Sequence, residues 1–260
     1  MELMEVKEKV IQSSFPNLLQ LEQISEIAKQ NNKIPKILHF CFLNYENMGE
    51  EHLNYLKTWF ELLDNDWFFV NWTPSITPIE TQFEQYCIDT NKFAFYADFI
   101  RCHKVYQYGG VYFDCDVKLL RGFNELLSYN YIFDTEFEKN YMECAAFMSK
   151  KENNFLKIIC DEYDNLGYTD YEKNPSSFVA GKFWLNTLNN NGVSVGVRSS
   201  NNLANYKEKT DKNTPNQLYC LDSTFLSCPP VKSRWTNLQQ TPHEYTISQH
   251  MFMNTWLDKN

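Results

Sequence analysis

The sequence predicts an α/β fold: a mixed sheet flanked by helices, with further helices added, in one domain spanning residues 1–260. Three observations predict it. The apolar runs Ile37-Leu38-His39-Phe40-Cys41-Phe42 and 67–72 bracket a segment of helical periodicity at 52–63, and strand, helix, strand is the order of a parallel unit. A later helical segment stops on Gly109-Gly110 and runs directly into VYFDCDVKLL, a third apolar strand. A hydrophobic fraction of 43%, with 16% aromatic residues, supplies more core than a disordered chain carries.

Taken in order, residues 16–30 place Leu18, Leu21, Ile24, Ile27 and Ala28 at helical spacing, with Pro16 suited to the first turn. Ile34-Pro35-Lys36 then leads into the first strand, whose length and flanking proline favour a buried strand over a helix. The aromatic strand at 67–72 is closed by Pro74 and Pro78. Residues 79–108 read as helix, ending at the glycine pair. Residues 129–149 alternate strand-like and acidic stretches, and 155–166 is amphipathic. The Asn-, Ser- and Lys-rich stretch 189–216 reads as an exposed excursion, with short strands expected at Tyr219–Leu226 and Tyr245–Ile247. No repeat recurs at periods of 20–50 residues.

A net charge of -9 and a pI near 5.1, without a basic cluster, exclude a nucleic-acid surface. No apolar run is long enough to cross a bilayer, and the opening MELMEVKEKVIQSSF lacks the apolar core of a signal peptide. A cytoplasmic protein without a transmembrane segment is therefore expected, peripheral membrane association being left open. The eight cysteines lack framework spacing and lie in apolar stretches, so reduced, buried thiols are expected. Without a CxxC pair, a thiolate zinc site has little support.

The chemistry centres on Asp114-Cys115-Asp116. On an extended strand, Asp114 and Asp116 project from one face with Cys115 opposite. Two carboxylates in a strand filled by Val111, Tyr112, Phe113, Val117 and Leu119 repel each other and resist desolvation unless a cation lies between them. Strand ends of open α/β sheets are also where ligands gather. On the preceding helix Asp98 and Arg101, three residues apart, share a face. They read either as an ordinary ion pair or as a guanidinium and a carboxylate set for phosphate and sugar or ribose oxygens.

The block YADFIRCHKVYQYGGVYFDCDVKLL resembles the signature of the DXD-containing sugar transferases, in the order Ala97-Asp98, Arg101, Tyr108-Gly109-Gly110, Tyr112, Asp114, Asp116. That family includes capsular polysaccharide synthesis proteins, fungal initiating mannosyltransferases and, more distantly, the large clostridial glucosylating toxins. Residues 34–39 resemble its first strand, and His250 through Thr255-Trp256 its closing segment. The resemblance implies a GT-A type, Rossmann-like fold, with 1–33 as a helical extension, 34–127 as the nucleotide-sugar binding core and 128–260 as the acceptor region and closing segment.

It further implies a nucleotide-sugar donor, UDP-linked by preference, Mn²⁺ or Mg²⁺ as cofactor, and retention of anomeric configuration. The expected acceptor is a surface or capsular glycan, a protein acceptor being the alternative. Asp114, Asp116, His250 and Asn254 are the expected metal ligands, with Asp116 first among them. Phe42, Asp98, Arg101, Tyr112 and Asp114 are expected at the donor, Phe42 standing where relatives commonly carry tryptophan and keeping an aromatic face for the base. Asp98, Arg101, Asp114 and Trp256 are the expected catalytic group, Trp256 closing over the leaving diphosphate. Ala180-Gly181-Lys182 keeps only the glycine of the family's Gly-Pro, and no acceptor residue is assigned there. Two other readings stay open on the residues alone: a metal-dependent phosphoryl or nucleotidyl transferase, though without a GxxxxGK[ST] loop, and a non-catalytic sugar-binding module.

Overall fold

The structure is a computed structural model that describes residues 1–16, 18–30, 33–136, 141–173, 175–212, 214–228 and 241–253. It opens with α1 (Leu3–Ser13) and α2 (Leu18–Gln30). The sequence reading anticipates only the second of these. In LMEVKEKVIQS the apolar residues are interleaved with charged ones, and Val6 and Val10, one helical turn apart, are fully buried and seat α1 against the later α3.

The central sheet begins with β1 (Ile37–Phe40), followed by α3 (Glu50–Leu62) and β2 (Phe68–Asn71). β1 and β2 are parallel, with Ile37 opposite Phe68 and Phe40 opposite Asn71, as the strand, helix, strand order requires. The helix expected over 79–108 is two helices, α4 (Gln82–Asp89) and α5 (Phe93–Tyr108). The break falls at Asn91, which adopts φ 56°, a left-handed conformation that asparagine tolerates and a helix interior does not. A reciprocal capping box starts α4: Thr81 Oγ1 accepts from Glu84 N–H at 3.1 Å, and Glu84 Oε2 accepts from Thr81 N–H at 3.0 Å.

Gly109 and Gly110, at φ 68° and 114°, turn the chain from α5 into β3 (Gly110–Phe113). β3 lies parallel to β1, with Leu38 opposite Val111. β4 (Val117–Leu119) follows, then β5 (Tyr131–Ile132) and β6 (Ala146–Ser149). β6 runs antiparallel to both β3 and β5, giving the mixed order β2-β1-β3-β6-β5.

The period of two sorts the helices between the faces. Phe40 and Phe113 both meet Trp59 of α3, whereas His39 stacks near Tyr108 and Tyr112 lies beneath Arg101, both on α5. α3 and α5 therefore cover opposite faces of one sheet, the three-layer α/β arrangement that the sequence predicts. On the α5 side follow α6 (Asn154–Asp164), started by the Asn153 cap, the short α7 (Asp170–Lys173), and α8 (Ala180–Asn190), whose Trp184 packs edge-on to Phe147 of β6.

Part of the expected excursion at 189–216 is ordered secondary structure: β7 (Ser194–Arg198) and α9 (Leu203–Asp211). β7 pairs in parallel with β8 (Gln217–Leu221), and Tyr206 of α9 is fully buried. The strand expected at Tyr245–Ile247 instead begins at Ser248. This is β9 (Ser248–His250), held antiparallel to β4 with Val117 opposite His250. Among the described residues, no helix is long and apolar enough to cross a membrane.

Candidate active site

The site forms where β1 and β3 end, the edge at which parallel strands leave room for ligands. β3 does not carry both aspartates as one extended strand. It stops at Phe113, and Asp114-Cys115-Asp116 turn sharply, with Val117 N–H donating to the Asp114 carbonyl at 2.9 Å. Both flanks enforce the turn. Asp114 N–H is taken by the Ala145 carbonyl at 2.7 Å, continuing the β3–β6 pairing. Beyond the turn, Trp59 Nε1 donates to Val117 O at 2.8 Å and Leu119 N–H donates to Thr58 Oγ1 at 2.9 Å, drawing β4 onto α3. The aspartates still converge: one oxygen of each and one nitrogen of His250 all lie within 4.8 Å of one another.

Arg101 organises the first half of the site. Its Nη2 lies 2.8 Å from Asp98 Oδ1 and 3.1 Å from Asp114 Oδ1, its Nη1 donates to Cys144 O at 2.6 Å, and its Nε donates to Ala97 O at 3.3 Å. Most of the five guanidinium donors are thus spent inside the protein. Arg101 fixes two carboxylates and supplies positive charge, rather than offering a free fork to a phosphate. Tyr112 is fully enclosed under the guanidinium, 4.9 Å from Cζ, and its hydroxyl donates to the same Asp114 Oδ1 at 2.8 Å. Its reach toward a donor therefore passes through Asp114. Burial pushes the Asp98 carboxyl up to about 7 against the pull of Arg101. Burial also raises Asp114, where Arg101 opposes the shift and Asp116 adds to it.

The second half joins distant segments. Asp116 Oδ2 lies 3.5 Å from His250 Nε2 and accepts from Met253 N–H at 3.0 Å. His250 Nδ1 lies 3.4 Å from Glu143 Oε2. Glu143 is 3% exposed, accepts from Ala145 N–H at 2.7 Å through Oε1, and receives the Ser227 hydroxyl on Oε2. Burial disfavours charge on His250, but the two carboxylates outweigh it and hold the imidazole protonated, well above its ordinary range. Burial is likewise outweighed at Asp116 and Glu143, whose carboxyls end below theirs because His250 and their hydrogen bonds favour the anions.

Glu143 is the residue that the sequence reading misses. Its only signal is one carboxylate in the apolar context MECAAF. Phe42 lies on the loop after β1, half-buried, its backbone N–H donating to Asn71 Oδ1 at 2.8 Å and its ring 5.2 Å from His52. It stands at the same sheet edge as the aspartates. Asn254 and Trp256 lie outside the described residues.

The donor set fits a divalent metal ion. Among the described residues, the ion pairs of the site set Asp98, Asp114, Asp116 and Glu143 against Arg101 and His250, so with all four carboxyls ionised the cluster carries a net charge of about −2, which a doubly charged ion balances. The oxygens of the carboxylate pair suit a cation such as Mn²⁺ or Mg²⁺, and His250 can add a nitrogen to them only by giving up the proton that faces Asp116.

Residues 10–133 match the family model described as "Glycosyltransferase sugar-binding region containing DXD motif". A search of curated proteins gives no match. Among solved structures, the PaToxG glycosyltransferase is similar at 15% identity and a TM-score of 0.48, with 80% of this chain and 85% of that chain covered. The matched stretch takes in the two aspartates of the motif at the end of β3 and Asp98 and Arg101 anchored against them, so it is through residues 10–133 that the chain is similar to the DXD-containing glycosyltransferases.

Proposed function

We propose that this protein is a metal-dependent, retaining glycosyltransferase that moves a hexose from a nucleoside diphosphate sugar, UDP-linked by preference, to a hydroxyl of a capsular or other surface glycan. The observation that carries the metal dependence is the unbalanced charge: four carboxylates against one guanidinium and one imidazolium, at the end of a parallel strand. Retention, the uridine preference and the glycan acceptor rest on the resemblance to capsular polysaccharide synthesis proteins.

Asp116 and Asp114 would hold the cation, with His250 beside them and Asn254 joining from the closing segment. Bound there, it supplies Lewis-acid neutralisation of the charge that grows on the departing nucleoside diphosphate. Asp98 and Asp114, each fixed through Oδ1 by Arg101, accept from sugar and ribose hydroxyls and orient the anomeric carbon toward the acceptor. Phe42 offers the base an aromatic edge, and Trp256 is assigned to cover the leaving group.

A thermal-shift panel of UDP- and GDP-sugars, with and without Mn²⁺, tests the donor: one sugar nucleotide is expected to stabilise the protein, and only with the metal. Asp116→Ala is expected to abolish Mn²⁺-dependent donor hydrolysis. Equal rates in variant and wild type would overturn the metal assignment.

A further inference from the structure

On the face of α5 away from the aspartates, two thiols and an imidazole meet at the seam with α6. Cys102 follows Arg101 directly and is fully buried, and Cys160, 58 positions later on α6, is 3% exposed. The Sγ atoms of both and one ring nitrogen of His103 lie within 4.8 Å of one another. The nitrogen turned to the thiols is Nδ1, 3.4 Å from Cys102 Sγ and 2.8 Å from the Phe99 carbonyl. The ring is stacked on Phe99 at 3.8 Å between centroids, and its other nitrogen, Nε2, lies 3.0 Å from Asp164 Oδ1. Neither Cys102 nor Cys160 is in a disulfide, and none of these residues takes part in the sugar-transfer site.

We propose that this seam is a second metal site, which takes a thiophilic divalent cation such as Zn²⁺ through Cys102 Sγ, Cys160 Sγ and His103 Nδ1. The donor set chooses the ion. Two sulfurs and an imidazole suit Zn²⁺, whereas the oxygen-rich aspartate site suits Mn²⁺ or Mg²⁺, so one chain sorts two metals by ligand softness. Asp164 stands where zinc-bound histidines commonly have a carboxylate, accepting the proton that remains on Nε2 and fixing which nitrogen faces the metal. The proton balance is definite. Binding converts two thiols and a neutral imidazole, or the equivalent thiol, thiolate and imidazolium, into two thiolates and a neutral imidazole, releasing two protons per ion. His103 Nδ1 exchanges the Phe99 carbonyl for the metal. The partly exposed edge of His103 leaves the fourth position to water. The ion ties α5 to α6 one residue beyond Arg101, so loading the seam stiffens the helix that presents Asp98 and Arg101.

The test uses the full chain, reduced and freed of metal, titrated with Co²⁺ and then Zn²⁺. One thiolate-to-cobalt charge-transfer band is expected, saturating at about one equivalent and bleached by Zn²⁺. Zn²⁺ should release two protons in a weakly buffered solution and raise the melting temperature. The Asp114→Asn/Asp116→Asn double variant keeps the band, and Cys160→Ser loses it. Because Cys160 is buried, His103→Gln, at a partly exposed position, provides a second variant and should weaken Zn²⁺ binding about tenfold or more. Absence of the band in the reduced wild type, or its survival in a folded Cys160→Ser protein, overturns the proposal. So does Zn²⁺ affinity unchanged in His103→Gln.

Discussion

Glu143 Oε2 lies 3.4 Å from His250 Nδ1, across 107 residues of chain, while the opposite nitrogen of the ring points at Asp116. The imidazole is therefore held between the carboxylate that belongs to the motif and one that does not. Glu143→Gln keeps the shape of that support and removes its charge. The Mn²⁺ concentration for half-maximal donor hydrolysis is expected to rise about 10- to 100-fold, with the rate recovered at saturating metal. An unchanged metal requirement would show that His250 does not depend on Glu143.

Arg101→Lys separates charge from geometry. Lysine keeps the positive charge but cannot span Asp98, Asp114, Cys144 O and Ala97 O from one rigid plane. A fall of roughly 100-fold in kcat/KM is expected, about 2.7 kcal/mol of transition-state stabilisation, together with a lower melting temperature. Wild-type kinetics in the lysine variant would show that the fork is dispensable.

His39 makes stability depend on pH. Fully buried, it holds its Nε2 2.7 Å from Gly109 O, and its Nδ1 accepts from Trp72 Nε1 at 2.9 Å. Burial lowers its pKa to about 4, the Gly109 carbonyl only partly resisting. A pKa depressed on folding means that the unfolded chain takes up the proton first. Stability from His39 is therefore complete above its unfolded value near 6.5 and is lost as pH falls toward 4. Over that window the loss amounts to about 3 kcal/mol. Urea melts at pH 7.5 and 4.5 measure it, and His39→Gln should show a smaller difference between the two than wild type does.

Gly110 and Gly192 both have positive φ but differ in their surroundings. A Cβ at Gly110 would sit 2.5 Å from the Ile37 carbonyl oxygen, inside the β1–β3 pairing, whereas at Gly192 nothing lies within 4 Å. Gly192→Ala should cost only about 1–2 kcal/mol from its backbone conformation. Gly110→Ala adds displacement of backbone and should cost about 3 kcal/mol or more, read from paired denaturation curves. Equal losses would mean that the sheet yields at Ile37.

Much of the site is legible because it is local. Asp98 and Arg101 sit one turn apart on α5, and the glycine pair fixes where β3 begins, so the order of residues already brings them to the aspartates. The turn at 114–116 is not legible, because Phe113 and Val117 on either side look like one apolar strand. What bends the chain is Thr58 and Trp59 of α3 and the Ala145 carbonyl, all remote in sequence. Glu143 and the Cys102–Cys160 seam stay hidden for the same reason: their chemistry exists only after distant elements pack. The break at Asn91 was readable in Asp89-Thr90-Asn91-Lys92, whose polar run outweighs the helical pattern around it.

Asp116 is gripped twice by the closing segment, its carbonyl accepting from Met251 N–H at 2.9 Å and its carboxylate from Met253 N–H at 3.0 Å. The carboxylate proposed as the principal metal ligand is thus also the cleat to which residues 251–253 are tied, and the contact spans 137 positions of chain. Contacts of that span form only after a large loss of chain entropy. Forming the sheet and fixing Asp116 are consequently two different conditions here. The five-stranded sheet is built without β9, whereas the grip on Asp116 exists only where His250, Met251 and Met253 have come to lie against it.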